Sequence, residues 1–491
     1  MFKKLVMSAV AIACSSLAHA DSFVYQAWAV EGSAVISTSD LILQLPASKI
    51  DSSTSGESTL LAETGKELGD SILAVYRRAG YVAASVLVDV GARTIHIREG
   101  VALPTGPFAK YLPAGKVISA TDFELAGLRS ASELTFNRQR VSFDIQPTDF
   151  TSSNSETEIR TSLTDDEASK QVGGSFGYSS LGQRYSGSDV LTASAYANLK
   201  TGFQAEASAA VALADTTDES RGGGFGQGHL ILRRAGVEGL TSVQASLTDY
   251  AVGGAMAPLK IKGSVERLGA EHSYIVSKDL SVAGRITSSQ AKQRFDALGW
   301  DDTQSYTSIG ASARYQVSPV TQIEVGIEQG INGTHSFNQV ALQGRFDPNY
   351  TVATASASTQ IPVAGGWVAV VRGGAQTSSK GTPAASQLAL GGDGRASSYS
   401  SGYVSVLDGA HLSATLNSPV LGDGFQFYTG VDGSTGQPSS GKVRSANSAL
   451  VGVRYVKGSL SVNLGYAASI DNHDEAGTSG EKAFLQMTWS F

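Results

Sequence analysis

From about Lys170 to Phe491 the chain alternates, one apolar residue and then one polar, and this period of two limits the fold more than any other feature. Phe203, Ala205, Ala207, Ala209 and Val211 are separated by Gln204, Glu206 and Ser208. Val243, Ala245 and Leu247 alternate with Gln244, Ser246 and Thr248, and Ile323, Val325 and Ile327 with Gln322, Glu324 and Glu328. Leu460, Val462, Leu464 and Tyr466 alternate with Ser461 and Asn463. Successive side chains of a strand point to opposite faces, so each segment reads as a strand with one greasy and one wetted side. The segments recur about every twenty residues, divided by Gly, Asp, Asn and Ser. Beyond residue 20 no stretch approaches the roughly eighteen consecutive apolar residues of a membrane-spanning helix. Such strands suit a barrel wall with lipid outside and water inside, since in lipid only closure satisfies every backbone group. The composition agrees, with 55 Gly and only 16% charged residues.

The connections alternate as well. Short turns such as Lys200-Thr201-Gly202, Ser277-Lys278-Asp279 and Ser318-Pro319-Val320 alternate with longer ones at 213–226 and 291–302. Short periplasmic turns and long external loops are the usual barrel pattern. Counting gives sixteen or seventeen strands, the doubtful one being Phe337 to Phe346. An even number is expected of a single-chain bacterial barrel, so the fold class is mainly β, a 16-stranded antiparallel transmembrane barrel over 168–491. In the last strand Leu485, Met487, Trp489 and Phe491 share one face and the chain ends on Phe491. A closing strand of a soluble sandwich is the alternative.

The front of the chain is built differently. Lys3 and Lys4, the apolar run Leu5 to Ala13 and Ala18-His19-Ala20 read as a signal peptide over 1–20, with the mature chain starting at Asp21. A lipoprotein anchor at Cys14 is the alternative, poorly matched by Ala11. Cys14 is the only cysteine, so the mature chain would have no disulfide and no cysteine metal site. Residues 23–31 read as a strand leading to Gly32, and Leu60, Leu61, Leu68, Ile72, Leu73 and Tyr76 as one helix over 58–78. A strand over 82–90, a turn at Gly91-Ala92 and a strand over 94–98 follow. This makes a small α+β domain over 21–100. Residues 101–167 read as a shorter version, with a helix near 122–134 and strands near 140–146 and 156–163.

The run Ala74 to Tyr81 followed by Ile95 to Gly100 resembles a POTRA domain, with Tyr76, Gly80, Tyr81, Glu99 and Gly100 at its marked positions. The likeness is to the first POTRA of two-partner (type Vb) secretion transporters, the outer-membrane exporters of haemolysins and filamentous adhesins. It continues in order: a shortened second POTRA, a strand from Gly366-Trp367 through Gln376, then Leu388 to Pro419 with Leu390-Gly391-Gly392 and Leu407-Asp408-Gly409. The resemblance implies that the loop after the eleventh strand, near 391–407, folds back into the lumen. It also implies that an arginine at the loop tip pairs with an acid on the inner wall. Arg395 stands at the arginine's place after Gly391 and Gly392, with Gly394 where the family has an apolar residue and Tyr399 two places late. Asp432 is the nearest wall acid, displaced toward the strand end; a turn residue before Gly433 is its other reading. A bidentate arginine–carboxylate bond would supply direction as well as energy, whereas a solvated loop arginine would supply neither. The resemblance also makes the tail with Trp489 and Phe491 the signal read by the barrel-assembly machinery. Tyr76, Gly80 and Tyr81 carry structural roles on their chemistry alone: packing the helix, capping it, packing beside it.

The chain has no HExxH, GxSxG or P-loop spacing, and Gly222 to Gly228 fails the dinucleotide pattern and reads as a flexible external loop. His335 has no other candidate ligand near it in sequence, and Asp301-Asp302 and Asp165-Asp166 read as solvated loop pairs. The expectation is therefore no enzyme, no cofactor and no metal. The net charge of −7 argues against nucleic acid. The resemblance implies export of a large secreted client bound by POTRA strands, from an outer-membrane site with the front domains in the periplasm and lipid around the barrel. The alternatives are a barrel-assembly factor of the same superfamily and a passive porin or adhesin. Three departures from the family stand out: no plug helix ahead of the first POTRA strand, a short second POTRA and a degenerate arginine motif.

Overall fold

A computed structural model describes residues 21–25, 28–45, 57–147, 156–182, 186–187, 189–199, 201–213, 223–338, 346–402, 404–438, 441–470 and 480–491. The leader read at 1–20 lies outside them, with Cys14, Lys200, Gly222 and residues 339–345. The chain divides into two compact units, 1–130 with 139–166, and 131–138 with 167–491.

The first unit holds two small sheets. In one, β1 (Asp21–Tyr25) and β2 (Trp28–Ser33) form a hairpin where one strand was expected over 23–31. β2 then pairs in parallel with β4 (Thr94–Arg98), and β4 in antiparallel with β3 (Ser85–Asp89), shorter than the 82–90 read from sequence. The helix Glu57–Arg78 lays Leu68, Ile72, Val75 and Tyr76 against Trp28, Val30 and Ile95, all buried. A second helix, Thr38–Gln44, was not read from sequence because its seven residues are too few to show a period; Ser37 caps it, accepting from Asp40 N at 3.2 Å. The second sheet runs β5 (Val101–Thr105), β7 (Glu156–Asp165), β6 (Gln139–Pro147), with β5 parallel to β7. Its helix Ala120–Asn137 begins in a reciprocal cap, Ser119 N donating to Asp122 at 2.8 Å and Asp122 N to Ser119 Oγ at 3.3 Å.

The second unit contains a closed antiparallel barrel of sixteen strands. They are β8 (Val172–Ser179), β9 (Asp189–Leu199), β10 (Phe203–Leu213), β11 (Gly224–Gly236), β12 (Gly239–Ala251), β13 (Ile261–Ile275), β14 (Leu280–Phe295) and β15 (Trp300–Ser318). Then come β16 (Thr321–Phe337), β17 (Thr351–Pro362) and β18 (Val368–Ser378); a small hairpin of β19 (Leu388–Leu390) and β20 (Val404–Val406) interrupts the wall before β21 (Asp408–Asn417). β22 (Phe425–Gln437), β23 (Arg444–Lys457), β24 (Leu460–Ser469) and β25 (Glu481–Ser490) complete it, and β25 pairs with β8. Most of the doubtful segment, 339–345, lies outside the described residues; in the wall β16 pairs directly with β17.

The alternation is real in space. Leu230, Val243, Leu268, Val325, Leu412 and Val451 stand about half exposed on the outer face, a contiguous apolar belt of the kind that marks a membrane or partner surface. Their sequence neighbours Ile231, Gln244, Arg267, Glu324, Ser413 and Gly452 face the lumen. Two sequence expectations are corrected here. Residues 291–302 are mostly strand, because β14 and β15 continue past the apolar belt as polar ladders, which carry no alternation of hydropathy. Gly224, Gly226 and Gly228 lie in β11, paired with Ala251, Asp249 and Leu247, and are not loop.

Candidate functional site

The segment after the eleventh barrel strand, 379–407, turns into the lumen. It leaves β18 at Ser378, forms the β19–β20 hairpin and sends residues 391–402 further in. Leu388, Leu390 and Val406 bury one another at the base of this hairpin. Gly409 and Gly436 on the wall make room for it, since a Cβ on Gly436 would come within 2.6 Å of Val406. The tip is a tight knot in which Gly391 (φ +79°), Gly392 (+89°) and Gly394 (+70°) take the left-handed backbone. Gly391 N donates to Arg395 O at 3.1 Å and Gly392 N to Tyr399 O at 3.1 Å. Ala396 is left-handed as well, at φ +96°, and fully buried. A non-glycine residue holds that strained conformation only when its surroundings fix it.

What fixes it is a row of wall groups on three adjacent strands. Asp432 on β22 accepts from Ser397 N at 3.0 Å, and its other oxygen accepts from Ser397 Oγ. Ser434 on the same strand donates to Arg395 O at 2.6 Å. Ser448 on β23 meets Ser398 N at 3.0 Å and Ser398 Oγ at 2.6 Å. Tyr399 is buried and its hydroxyl lies 2.9 Å from Ser469 Oγ at the end of β24. Asp432, Ser434 and Ser448 are themselves buried under the tip. The first stretch of the loop is tied to the neighbouring wall by Ser386, which donates at 3.4 Å to Glu328 on β16, an acid that also accepts from Tyr350 at 2.6 Å and Arg285 at 2.7 Å.

The sequence reading brought Arg395 and Asp432 together, and the structure brings them to one cavity but not into a bond. Asp432 does receive the loop, from Ser397, and is not a turn residue, since β22 runs on to Gln437. Arg395 instead donates to Ala389 O at 3.2 Å, folding back on its own hairpin. A short hydroxyl next to a backbone N–H fills both carboxylate oxygens at closer range than an arginine two residues upstream can. Ser397, Ser434, Ser448 and Ser469 were missed, and no signal marks them in a chain so rich in serine.

The remaining residues singled out from sequence lie apart from this site. Tyr76 is fully buried and donates to Glu99 at 2.7 Å; Glu99 also accepts from Ala34 N at 2.7 Å and Val35 N at 2.8 Å. Burial, then the neighbouring Glu99, raises the Tyr76 hydroxyl above its ordinary pKa. Gly80 (φ +90°) ends the long helix in a Schellman turn, with Tyr81 N bonding Tyr76 O at 2.9 Å and Gly80 N bonding Arg77 O at 3.0 Å. Gly100 (φ +80°) is pressed against Ala83, whose carbonyl oxygen would lie 2.7 Å from an added Cβ. Trp489 and Phe491 stack on Phe176 of β8 across the closing seam, at 6.4 and 5.7 Å. His335, distant from any ligand in sequence, meets Asp302 at 2.8 Å across β15–β16, so Asp302 is a paired strand residue and not a solvated loop acid. Among the described residues no group of three or more histidines, cysteines and carboxylates could hold a metal.

No family model and no curated protein matches the chain by sequence. Solved structures do match it in fold. CdiB from Escherichia coli superposes with a TM-score of 0.66 at 16% identity, covering 92% of this chain and 95% of that one. CdiB from Acinetobacter baumannii gives 0.63 at 10% identity, covering 100% and 97%. BamA from Haemophilus ducreyi lacking POTRA domains 1-3 gives 0.54 at 13% identity, covering 91% and 100%. Small α+β domains followed by a closed sixteen-stranded barrel give this chain the POTRA-plus-barrel fold of CdiB and BamA.

Proposed function

We propose that this chain is an outer-membrane translocator of the two-partner type, which binds an unfolded client in the periplasm and passes it through its barrel. The observation that carries the reading is the loop after the eleventh strand, turned into the lumen and bonded to the wall at Asp432. A passive pore has no need of a plug held by a row of directional hydrogen bonds, while a conduit for a polypeptide needs a barrier that can leave. The outer strands of the front sheets, β3 and β1 in one and β6 in the other, offer an edge to an extended client, which can bind by adding a strand. The apolar outer belt fits lipid, and the Trp489–Phe491 tail fits recognition by the barrel-assembly machinery. No catalytic role is proposed. The test is deletion of the gene and inspection of the culture medium: loss of one large secreted protein supports the reading, and unchanged secretion ends it.

One observation favours assembly of other barrels as a second reading. The seam between β25 and β8 has five residue pairs, whereas each of the other wall pairings has at least eight. Loss of several outer-membrane proteins on depletion, with the medium unchanged, would select this reading.

A further inference from the structure

Below the loop tip, toward the short-turn end of the barrel, lies a luminal cavity of about 430 Å³ lined by wall residues of β18 and β21–β25. Three guanidinium groups converge on it: Arg372 of β18, Arg454 of β23 and Arg395 of the loop. Among the described residues three other luminal arginines are paired with acids, while Arg267 meets only Ser289 Oγ at 3.3 Å. Arg233 pairs with Glu206 at 2.5 Å, Arg285 with Glu328 at 2.7 Å and Arg314 with Glu324 at 2.8 Å. None of the three cavity arginines has an acidic partner among the described residues. Arg395 bonds only the carbonyl of Ala389. Arg454 bonds the amide oxygen of Asn417 at 3.0 Å and lies 4.4 Å from the Tyr428 ring centre. Arg372 is exposed to the cavity and makes no hydrogen bond or ion pair among the described residues. Two acids line the same space, Asp393 and Asp432, and Asp432 has both oxygens occupied by Ser397. His411 adds a buried ring nitrogen, Nδ1, without a hydrogen-bond partner among the described residues.

We propose that this cavity is a carboxylate-binding station for the polypeptide in transit, so that acidic side chains of the client are held just before the loop tip. This rests on the export reading and adds a substrate chemistry to it. Guanidinium groups bind carboxylates through paired, directional hydrogen bonds, and they keep their charge at every physiological pH. Their attraction for an acidic segment is strengthened by the low-dielectric wall behind them. An acidic segment docked there competes with Asp432 and Asp393 for the surrounding donors, which couples arrival of the client to loosening of the tip.

The experiment uses the full-length protein in detergent and two fluorescent peptides of equal length, one alternating Glu and Ser, the other Lys and Ser. The Glu peptide is expected to bind at least tenfold more tightly, with affinity falling as salt rises. Arg372→Gln, which breaks no internal bond, is expected to weaken the Glu peptide about tenfold, and Arg314→Gln, three strands away on β15, to leave it unchanged. Equal binding of the two peptides, or an unaltered affinity in Arg372→Gln, overturns the site. The two readings separate cleanly. Export that needs this gene with no charge preference in binding defeats the station alone. Charge-selective binding with normal secretion in the deletion strain defeats the export reading and leaves a carboxylate site.

Discussion

Replacing Asp432 by Ala removes the one charged acceptor that holds the tip. The carboxylate takes two hydrogen bonds from Ser397, one from its N–H and one from its hydroxyl. Bonds to a charged group contribute about 1.5–3 kcal/mol each. Water reaches the lumen and replaces part of this, so a net loss near one bond, about 1.5–3 kcal/mol, is the working figure. That corresponds to a roughly 10- to 150-fold rise in the open population of the loop. Hydrogen exchange read by mass spectrometry over 391–402 measures it directly, because Gly391, Ser397 and Ser398 donate their amides to wall groups. Ser397→Ala should give part of the effect, and adding it to Asp432→Ala should give little more, since the two act as one unit. Arg395→Ala forfeits one long, part-exposed bond to Ala389 O at 3.2 Å and should speed exchange less, by about tenfold at most. If Arg395→Ala opens the loop as much as Asp432→Ala, or if Asp432→Ala leaves exchange unchanged, the assignment of the latch to Ser397 is wrong.

Glu99→Ala takes the acceptor from two part-buried backbone donors and leaves the Tyr76 hydroxyl only Ser33 Oγ at 3.2 Å, and should speed exchange across Glu57–Arg78 by the equivalent of about 1–3 kcal/mol. The same helix should lose protection in alkali. The Tyr76 hydroxyl ionises at higher pH folded than unfolded, so its contribution is complete below the ordinary phenol value of about 10 and fades as pH rises beyond it. Gly100→Ala should destabilise this domain well beyond Gly80→Ala, although both residues have positive φ: the first Cβ meets the Ala83 carbonyl oxygen at 2.7 Å, and the second meets nothing nearer than 3.7 Å. Val325→Arg on the outer belt should cost about 2–4 kcal/mol of folding into vesicles, read as lost folded yield, while Ser312→Arg on the luminal face should fold nearly as well.

How much of this was legible in the sequence follows the physics of each part. Strand number and facing were legible because hydropathy alternates wherever one face meets lipid. They became illegible where it does not: β14 and β15 pass beyond the belt with polar residues on both faces, and their extension read as loop. The long helix was legible from its apolar period, but Thr38–Gln44 was too short for one, and the hairpin at its front read as a single strand. Gly80 could be given a conformation from sequence alone, whereas the positive φ of Gly100 and the role of Glu99 as the buried hub that Tyr76 needs could not be seen. The inward loop was located by likeness, and the acid named from that likeness lies under the tip bonded to Ser397 and not to Arg395. Its serine partners come from positions 397, 434, 448 and 469, and only the barrel register sets them side by side.

The choice of serine over arginine bears on how such a loop could leave. An arginine drawn from Asp432 would expose two full charges at once, and each would need a new partner before the loop could travel. The serine latch breaks in smaller steps. Ser397 and Ser398 exchange wall bonds for water one at a time, Asp432 stays on the wall where luminal water can solvate it, and the strain in Ala396 is relieved as the tip unwinds. Arg395, free of Asp432 from the start, already faces the cavity through which a client would arrive. On this argument the degenerate motif is a division of labour, with closure held by Ser397 and client contact left to the arginine. Because Gly394 holds a left-handed backbone (φ +70°), an apolar residue placed there should strain the tip and speed its opening without strengthening the binding of acidic peptides.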